Sequence, residues 1–217
     1  MPVLEFHNVV KDFRGMRPLR IKNLSVEAGE SVAVSGLDAP AAETFINLAT
    51  GAGLPDDGDV RVMGEPTSAI TEGDAWIKSL DRFGVVSHRA VLLEKSTVAE
   101  NIAMSYSLSI DPIPPDIRAK VDALGALVGL RPDQLDIAVS AAGRAAAVRV
   151  HLARALSIEP AIVILEHAAL GVPREEVAPL AASIARAVAG RGVALVALTD
   201  DDVLSKGLRG RRLKLDG

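Results

Sequence analysis

Two periods alternate along the chain. Period-two alternation marks Val3 to Val10, which reads as an edge strand, and Leu19 to Val26, which begins a second strand. Lys11-Asp12-Phe13-Arg14-Gly15 between them is a turn. After Gly29 comes a short apolar strand, Ser31-Val32-Ala33-Val34-Ser35, closed by Gly36. Beyond Leu37-Asp38-Ala39-Pro40, the apolar positions Phe45, Ile46, Leu48 and Ala49 recur at helical spacing. Proline belongs in the first turn of a helix, where its missing N–H is not needed, and Asp38 before it is a good N-cap. The helix is therefore expected to start directly off the strand. Pro55-Asp56-Asp57-Gly58 then forms a turn, followed by a short alternating strand to Met63 and a second closing glycine, Gly64.

The later pattern is mostly helical. Thr71 to Leu80 reads as a short helix holding the only tryptophan, Trp76, and Arg82 to His88 as a buried strand leading into a loop. Thr97-x-x-Glu100 has capping-box spacing, so a helix carrying Val98, Ile102 and Ala103 starts there. A proline-rich break, Asp111 to Asp116, precedes an amphipathic helix over Ile117 to Leu130, with Val121, Leu124, Leu127 and Val128 on one face. Pro132 to Leu135 is a turn, and Val139 to Leu156 is Ala-rich with good helix propensity. Ala161 to Leu165 is fully apolar, as expected of a strand at the centre of a parallel sheet. Glu175 to Ala189 is a helix with Val177, Leu180, Ile184 and Val188 inward, and Val193 to Leu198 is another buried strand.

Composition narrows the setting. The 217 residues suit one domain, or one domain with a subdomain. With 49% hydrophobic but only 3% aromatic residues, the core must be built of Val, Leu, Ile and Ala. A net charge of -4 argues against a nucleic-acid surface. The nearest basic run, Lys206 to Lys214, reads as a solvated last turn or edge strand. The absence of cysteine removes disulfides, a thiolate nucleophile and zinc–sulfur sites. No apolar run is long enough to span a bilayer, and Met1 to Phe6 reads as a strand, not as a signal peptide. A cytoplasmic protein is expected, and at a membrane another chain must supply the spanning part.

The stretch Gly29 to Gly64 resembles the ATP-binding-cassette (ABC) ATPases of transporters. Their phosphate turn reads G-x-x-G-x-G-K-S/T-T: glycines expose backbone N–H groups to phosphate, the lysine reaches the β/γ-phosphates, and the hydroxyl holds Mg²⁺. Laid on this chain without a gap, Gly36 and Thr44 match, Ala39 and Ala41 replace glycines, Ala42 replaces the lysine, and Glu43 replaces the metal-binding hydroxyl. Further segments carry the resemblance across nearly the whole chain. Ser96-Thr97-Val98-Ala99-Glu100-Asn101-Ile102-Ala103 is similar to the family's "LTVxENIA" segment, and Arg149-Val150-His151-Leu152-Ala153-Arg154-Ala155-Leu156 to its "RVxLARAL". The family's L-S-G-G-Q falls on Ala142-Gly143-Arg144-Ala145-Ala146, and the similar Val139-Ser140-Ala141-Ala142 is displaced from it. The closing strand pair is matched by Arg212 to Gly217.

The resemblance implies an α/β fold of the P-loop NTPase, ABC ATPase type: a mostly parallel sheet, an N-terminal antiparallel β layer and an inserted helical subdomain near residues 88–156, all in one domain over 1–217. It implies ATP as cofactor, with Phe13 stacking on adenine and Gly36 and Thr44 at the phosphates. Mg²⁺ is doubtful, because the groups that hold it are replaced. His88 falls where the family has its metal- and water-contacting glutamine. Glu166-His167 replace its Asp-Glu pair: Glu166 is the retained carboxylate and the candidate catalytic residue, and His167 has the pKa range of a general base. Asp200 replaces the γ-phosphate histidine. Asp38, Glu43 and Asp200 all put negative charge where a triphosphate would sit, and Asp38 is expected to cap the helix that would receive it. Arg144 is placed to meet a phosphate across a dimer interface or simply to head an Ala-rich helix. Three readings follow. The first is a transporter ATP-binding subunit with weak or no hydrolysis, peripheral to the inner face of the cell membrane, docked on a permease after His88 and paired as a homodimer or with another ABC ATPase subunit. The second is a divergent but active ABC ATPase. The third is a nucleotide-free scaffold.

Overall fold

The computed structural model describes residues 1–14 and 17–215. The Gly15 end of the first turn and the Asp216-Gly217 end of the closing segment lie outside the described residues. In chain order the elements begin β1 (Pro2–Lys11), β2 (Leu19–Glu27), β3 (Ser31–Ser35), α1 (Ala39–Ala49), β4 (Asp57–Val62), β5 (Glu65–Pro66), α2 (Gly73–Leu80) and β6 (Phe83–Val86). Helices α3 (Val98–Ala103), α4 (Pro115–Leu127), α5 (Pro132–Leu135), α6 (Val139–Ala142) and α7 (Arg144–Leu156) follow. The chain closes with β7 (Ile162–Glu166), α8 (Arg174–Ala189), β8 (Ala194–Leu198), α9 (Asp202–Gly207) and β9 (Arg211–Lys214).

The strands form two sheets. An antiparallel sheet has the order β2-β1-β4-β5, and a parallel sheet the order β6-β7-β8-β3-β9. β1 is therefore an interior strand, paired on both sides, and not the edge expected from its alternation. Alternation reports one buried and one less buried face, which an interior antiparallel strand also has. Pro132 to Leu135, expected as a turn, is the one-turn helix α5. The basic C-terminal run divides between the end of α9 and the exposed edge strand β9.

Both faces of the parallel sheet are covered, and every residue of β7 and β8 is buried. On one face, α1 and the antiparallel sheet enclose a core in which the Phe6 and Phe45 rings stack with centroids 4.7 Å apart. On the other face, α3, α4, α7, α8 and α9 build an aliphatic core of Val, Leu, Ile and Ala. In α3 the capping box is complete: the Glu100 N–H donates to Thr97 Oγ1 at 3.1 Å, and the Thr97 N–H to Glu100 Oε2 at 2.7 Å. Among the described residues no helix is long and apolar enough to cross a membrane.

Register decides what lies at the carboxyl edge of the parallel sheet. Leu198 pairs with both Val34 and Glu166, and Val86 pairs with Leu165. The ends of β3, β6, β7 and β8 therefore stop at one level, which brings Gly36, Ser87, Glu166, His167, Thr199 and Asp200 to one edge. In open α/β sheets this edge is where ligands bind.

His151 on α7 is buried in the helical core. Burial, with the positive charges of Arg154 and Arg144 adding to it, pushes its imidazole down to about 4. The unfolded chain would take up this proton near pH 6.5, whereas the folded chain resists until about pH 4. Between those values the unfolded state binds more protons, so stability falls as the pH falls. The melting temperature of the wild type is expected to drop between pH 7 and pH 5 by more than that of His151→Leu. Equal drops in a pair of thermal melts would rule out this contribution.

Candidate functional site

The turn after β3 is short. Gly36 has φ of +89°, and a Cβ there would lie 2.2 Å from the Leu215 carbonyl oxygen, so only glycine fits. α1 begins at Ala39 with Asp38 as its N-cap: Asp38 Oδ1 accepts from the Ala41 N–H at 2.9 Å. The Gly36 N–H donates to Asp200 Oδ1 at 2.8 Å, from the loop after β8. Two backbone donors at the head of α1 are thus satisfied by carboxylates of the chain itself. Asp201, next to Asp200, caps α9 by accepting from the Val203 and Leu204 N–H groups, and pairs with Arg174 at 2.7 Å.

Further along α1, Ala42 is fully buried and faces the core. Thr44 donates its hydroxyl to the Pro40 carbonyl one turn back at 2.8 Å, so that group is held within the helix. Glu43 points the other way, to Arg89 Nη1 at 2.6 Å. Arg89 Nη2 in turn reaches Glu166 Oε1 at 3.1 Å, and the other Glu166 oxygen accepts from the Ser87 hydroxyl. Ser87 Oγ also accepts from the Arg89 backbone N–H at 3.1 Å. A guanidinium from the loop after β6 therefore bridges a carboxylate on α1 and one at the end of β7. The two halves differ in weight. Glu43 is 54% exposed, and an ion pair of that kind contributes about 0–1 kcal/mol. Glu166 is 2% exposed, and leaving a buried charge unpaired costs about 3–5 kcal/mol.

The remaining groups sit around this edge. Phe13, half-buried, joins Pro18, Leu19, Gly36, Leu37 and Asp38 around a cavity of about 300 Å³. His167 has φ of +45°, donates its N–H to the Leu198 carbonyl at 2.9 Å, and has a buried Nε2 with no hydrogen-bond partner among the described residues. It lines a second cavity, of about 390 Å³, with Leu170, Thr199 and Asp200. Arg144, at the start of α7, donates through Nε to the Leu170 carbonyl at 3.1 Å.

No protein-family model matches the chain. Over 215 residues it is 26% identical to the methionine import ATP-binding protein MetN of Brucella abortus (strain 2308), which covers 99% of this chain and 58% of that protein. The ribose import ATP-binding protein RbsA of Jannaschia sp. (strain CCS1) is 26% identical over 210 residues, covering 93% and 39%. Among solved structures, the ATP-binding cassette MJ0796, in a dimeric post-hydrolysis state with ADP and Pi, superposes with a TM-score of 0.76 at 19% identity, covering 98% of this chain and 94% of that one. The cbiO1 protein of Clostridium perfringens, part of the transporter complex cbiONQ, gives 0.76 at 18%, covering 92% and 79%. The chain is a homologue of ABC transporter ATP-binding subunits. Its fold is the ABC cassette fold, a parallel sheet with an antiparallel layer. It spans about half the length of the transporter proteins it matches.

Within the cassette, the residues named from sequence separate into two groups. Phe13 and Gly36 meet at the first cavity, with Asp38 beside them. Glu166 lies in the ion-pair cluster, linked to Glu43 through Arg89. Thr44 joins neither, because its hydroxyl is turned onto Pro40. His88 is exposed, and its neighbours Ser87 and Arg89 are the residues that reach Glu166. Glu43 does not stand as a bare charge, since Arg89 neutralises it. Arg144 is folded onto its own chain at Leu170. Ser87 and Arg89 were not legible in advance: neither belongs to a spaced motif, and only the pairing of β6 with β7 brings them to Glu166.

The cap at Asp38 is directly testable. Asp38→Ala is expected to lower the unfolding free energy by about 0.5–2 kcal/mol, with Asp38→Ser retaining most of it. Urea denaturation of the three proteins checks this, and an unchanged midpoint for Asp38→Ala would show that the cap contributes nothing.

Proposed function

We propose that this cassette is the ATP-binding subunit of an ABC transporter with weak or no ATP hydrolysis, acting as a structural or regulatory partner of a membrane permease or of a competent ATPase subunit. The observation that carries the reading is the self-capped turn at the head of α1. The Gly36 N–H is held by Asp200 and the Ala41 N–H by Asp38, so an incoming phosphate must displace carboxylates from the donors it needs and then sit against their charge. The lysine position is the buried Ala42, so α1 itself supplies no ammonium to offset this. A lost charge-assisted contact of that kind is worth roughly 1.5–3 kcal/mol. ATP, where it binds, is held mainly by its base and ribose near Phe13. Mg²⁺ is held poorly or not at all, since Glu43 and Glu166 already share a cation.

The partner half of the reading rests on the loop after β6. Val91 is 76% exposed and Leu93 43% exposed, on a backbone that is firmly held. Asn101 brackets Leu93 by accepting from its N–H at 2.8 Å and donating to its carbonyl at 3.0 Å, and Arg154 donates to the Val91 carbonyl at 3.1 Å. Fixed backbone with apolar side chains turned outward suits a docking surface. By analogy with the relatives, whose names place them in import systems, the partner is a permease at the inner face of the cell membrane. A second cassette, identical or different, would complete a dimer of the kind formed by MJ0796. In this reading residues 88–156 form the subdomain that faces the permease, and residues 1–217 act as one cassette. The third reading, a nucleotide-free scaffold, is favoured by the same self-capping.

Turnover and binding assays test the proposal. The unmodified chain is expected to hydrolyse ATP far below the ordinary range of about 1–100 per second. Ala42→Lys is a poor rescue, because it would place an ammonium in the core. The informative variant is Asp38→Ala with Asp200→Ala, expected to bind a fluorescent ATP analogue roughly tenfold or more tightly than the wild type. Ordinary turnover by the wild type would overturn the proposal. No analogue binding by either protein would favour the scaffold reading instead.

A further inference from the structure

The cluster of Glu43, Ser87, Arg89 and Glu166 joins α1 to the loop after β6 and to the end of its neighbour β7. Glu43 comes from α1, Glu166 from the end of β7, and Ser87 and Arg89 from the loop after β6. Glu166 cannot be left unpaired at 2% exposure, and its two oxygens are taken by the Ser87 hydroxyl and by Arg89 Nη2. The second Arg89 nitrogen is closed onto Glu43 at 2.6 Å. As placed, these residues do not fit a magnesium ion. The space between the carboxylates is filled by a guanidinium, and a divalent ion brought there would face its positive charge.

We propose that Arg89 is a resident cation standing in place of a divalent metal, and that it masks a latent metal site built of Glu43, Glu166 and Ser87. The donor set supports this. Two carboxylates and a hydroxyl are hard oxygen ligands of the kind taken by Mg²⁺ and Mn²⁺. Their charge of two negatives is half neutralised by Arg89, and a divalent ion would neutralise it fully. Arg89 is 38% exposed, so its side chain ends near solvent and its removal would open a path into the site. Among the described residues no group of three or more His, Asp or Glu is arranged to hold a metal, so the ion would have only the two carboxylates and the hydroxyl as protein ligands.

The test needs no nucleotide, so it stands apart from the proposal about ATP. Manganese binding is followed by loss of the free-ion electron paramagnetic resonance signal, for the wild type, Arg89→Ala, and Arg89→Ala combined with Glu43→Ala. The wild type is expected to leave the signal unchanged at submillimolar Mn²⁺. Arg89→Ala is expected to bind one Mn²⁺ at least tenfold more tightly, and the added Glu43→Ala to abolish that gain. If Arg89→Ala does not fold alone, millimolar Mn²⁺ is expected to restore its folded circular dichroism spectrum, because the ion replaces the missing charge beside Glu166. Three results would overturn the proposal: Mn²⁺ binding by the wild type that Glu43→Ala removes, no gain in a folded Arg89→Ala, or no rescue of an unfolded one.

Discussion

A carboxylate buried at the end of the central strand constrains everything around it. Glu166 closes β7 and has almost no contact with water, and a carboxylate buried there is costly unless it is paired and hydrogen-bonded. It therefore requires a donor and a cation close by, and the loop after β6 supplies them, because β6 is paired with β7 up to Val86 and Leu165. Ser87 and Arg89 meet that demand. Arg89 then has a second nitrogen to satisfy, and Glu43 on α1 takes it. One buried charge thus fixes the course of the loop after β6 and ties it to the helix that follows β3.

The same logic holds on the anion side. A short turn into a helix leaves backbone N–H groups pointing outward, and something must accept from them. In this cassette Asp38 and Asp200 do so. The edge of the sheet is consequently complete without any bound molecule: acids of the chain sit on the donors, and a base of the chain sits between the acids. Both substitutions follow from side-chain identity at a few positions, and neither disturbs the core. The strands β7 and β8 are buried along their whole length, and the aliphatic packing on both faces of the sheet is unbroken. The fold and the chemistry at its edge are separable for that reason.

How much of this could be read in the chain depended on whether the determining contact was local. The cap at Asp38 and the capping box of Thr97 and Glu100 lie within one helical turn, and both stand in the structure as their spacing demands. The central strands were legible because burial on both faces leaves an unbroken apolar run. β1 was misjudged as an edge because alternation reports faces and says nothing about neighbours. The links from Arg89 to Glu43 and from Asp200 to Gly36 span β6, β7 and the whole crossover topology, so no local period could announce them. Asp200 and Glu43 read as charges repelling phosphate. The structure shows each already engaged, one with a backbone N–H and the other with a guanidinium.

The central claim is that the chain's own side chains occupy the positions from which a nucleotide would be held. The amide signals of Gly36 and Ala41 in a nitrogen–proton correlation spectrum report on those positions most directly. The account predicts that both signals stay in place as Mg-ATP is added into the low millimolar range. A saturable shift of the Gly36 and Ala41 amides at micromolar Mg-ATP would mean that phosphate displaces Asp200 and Asp38, and would contradict it.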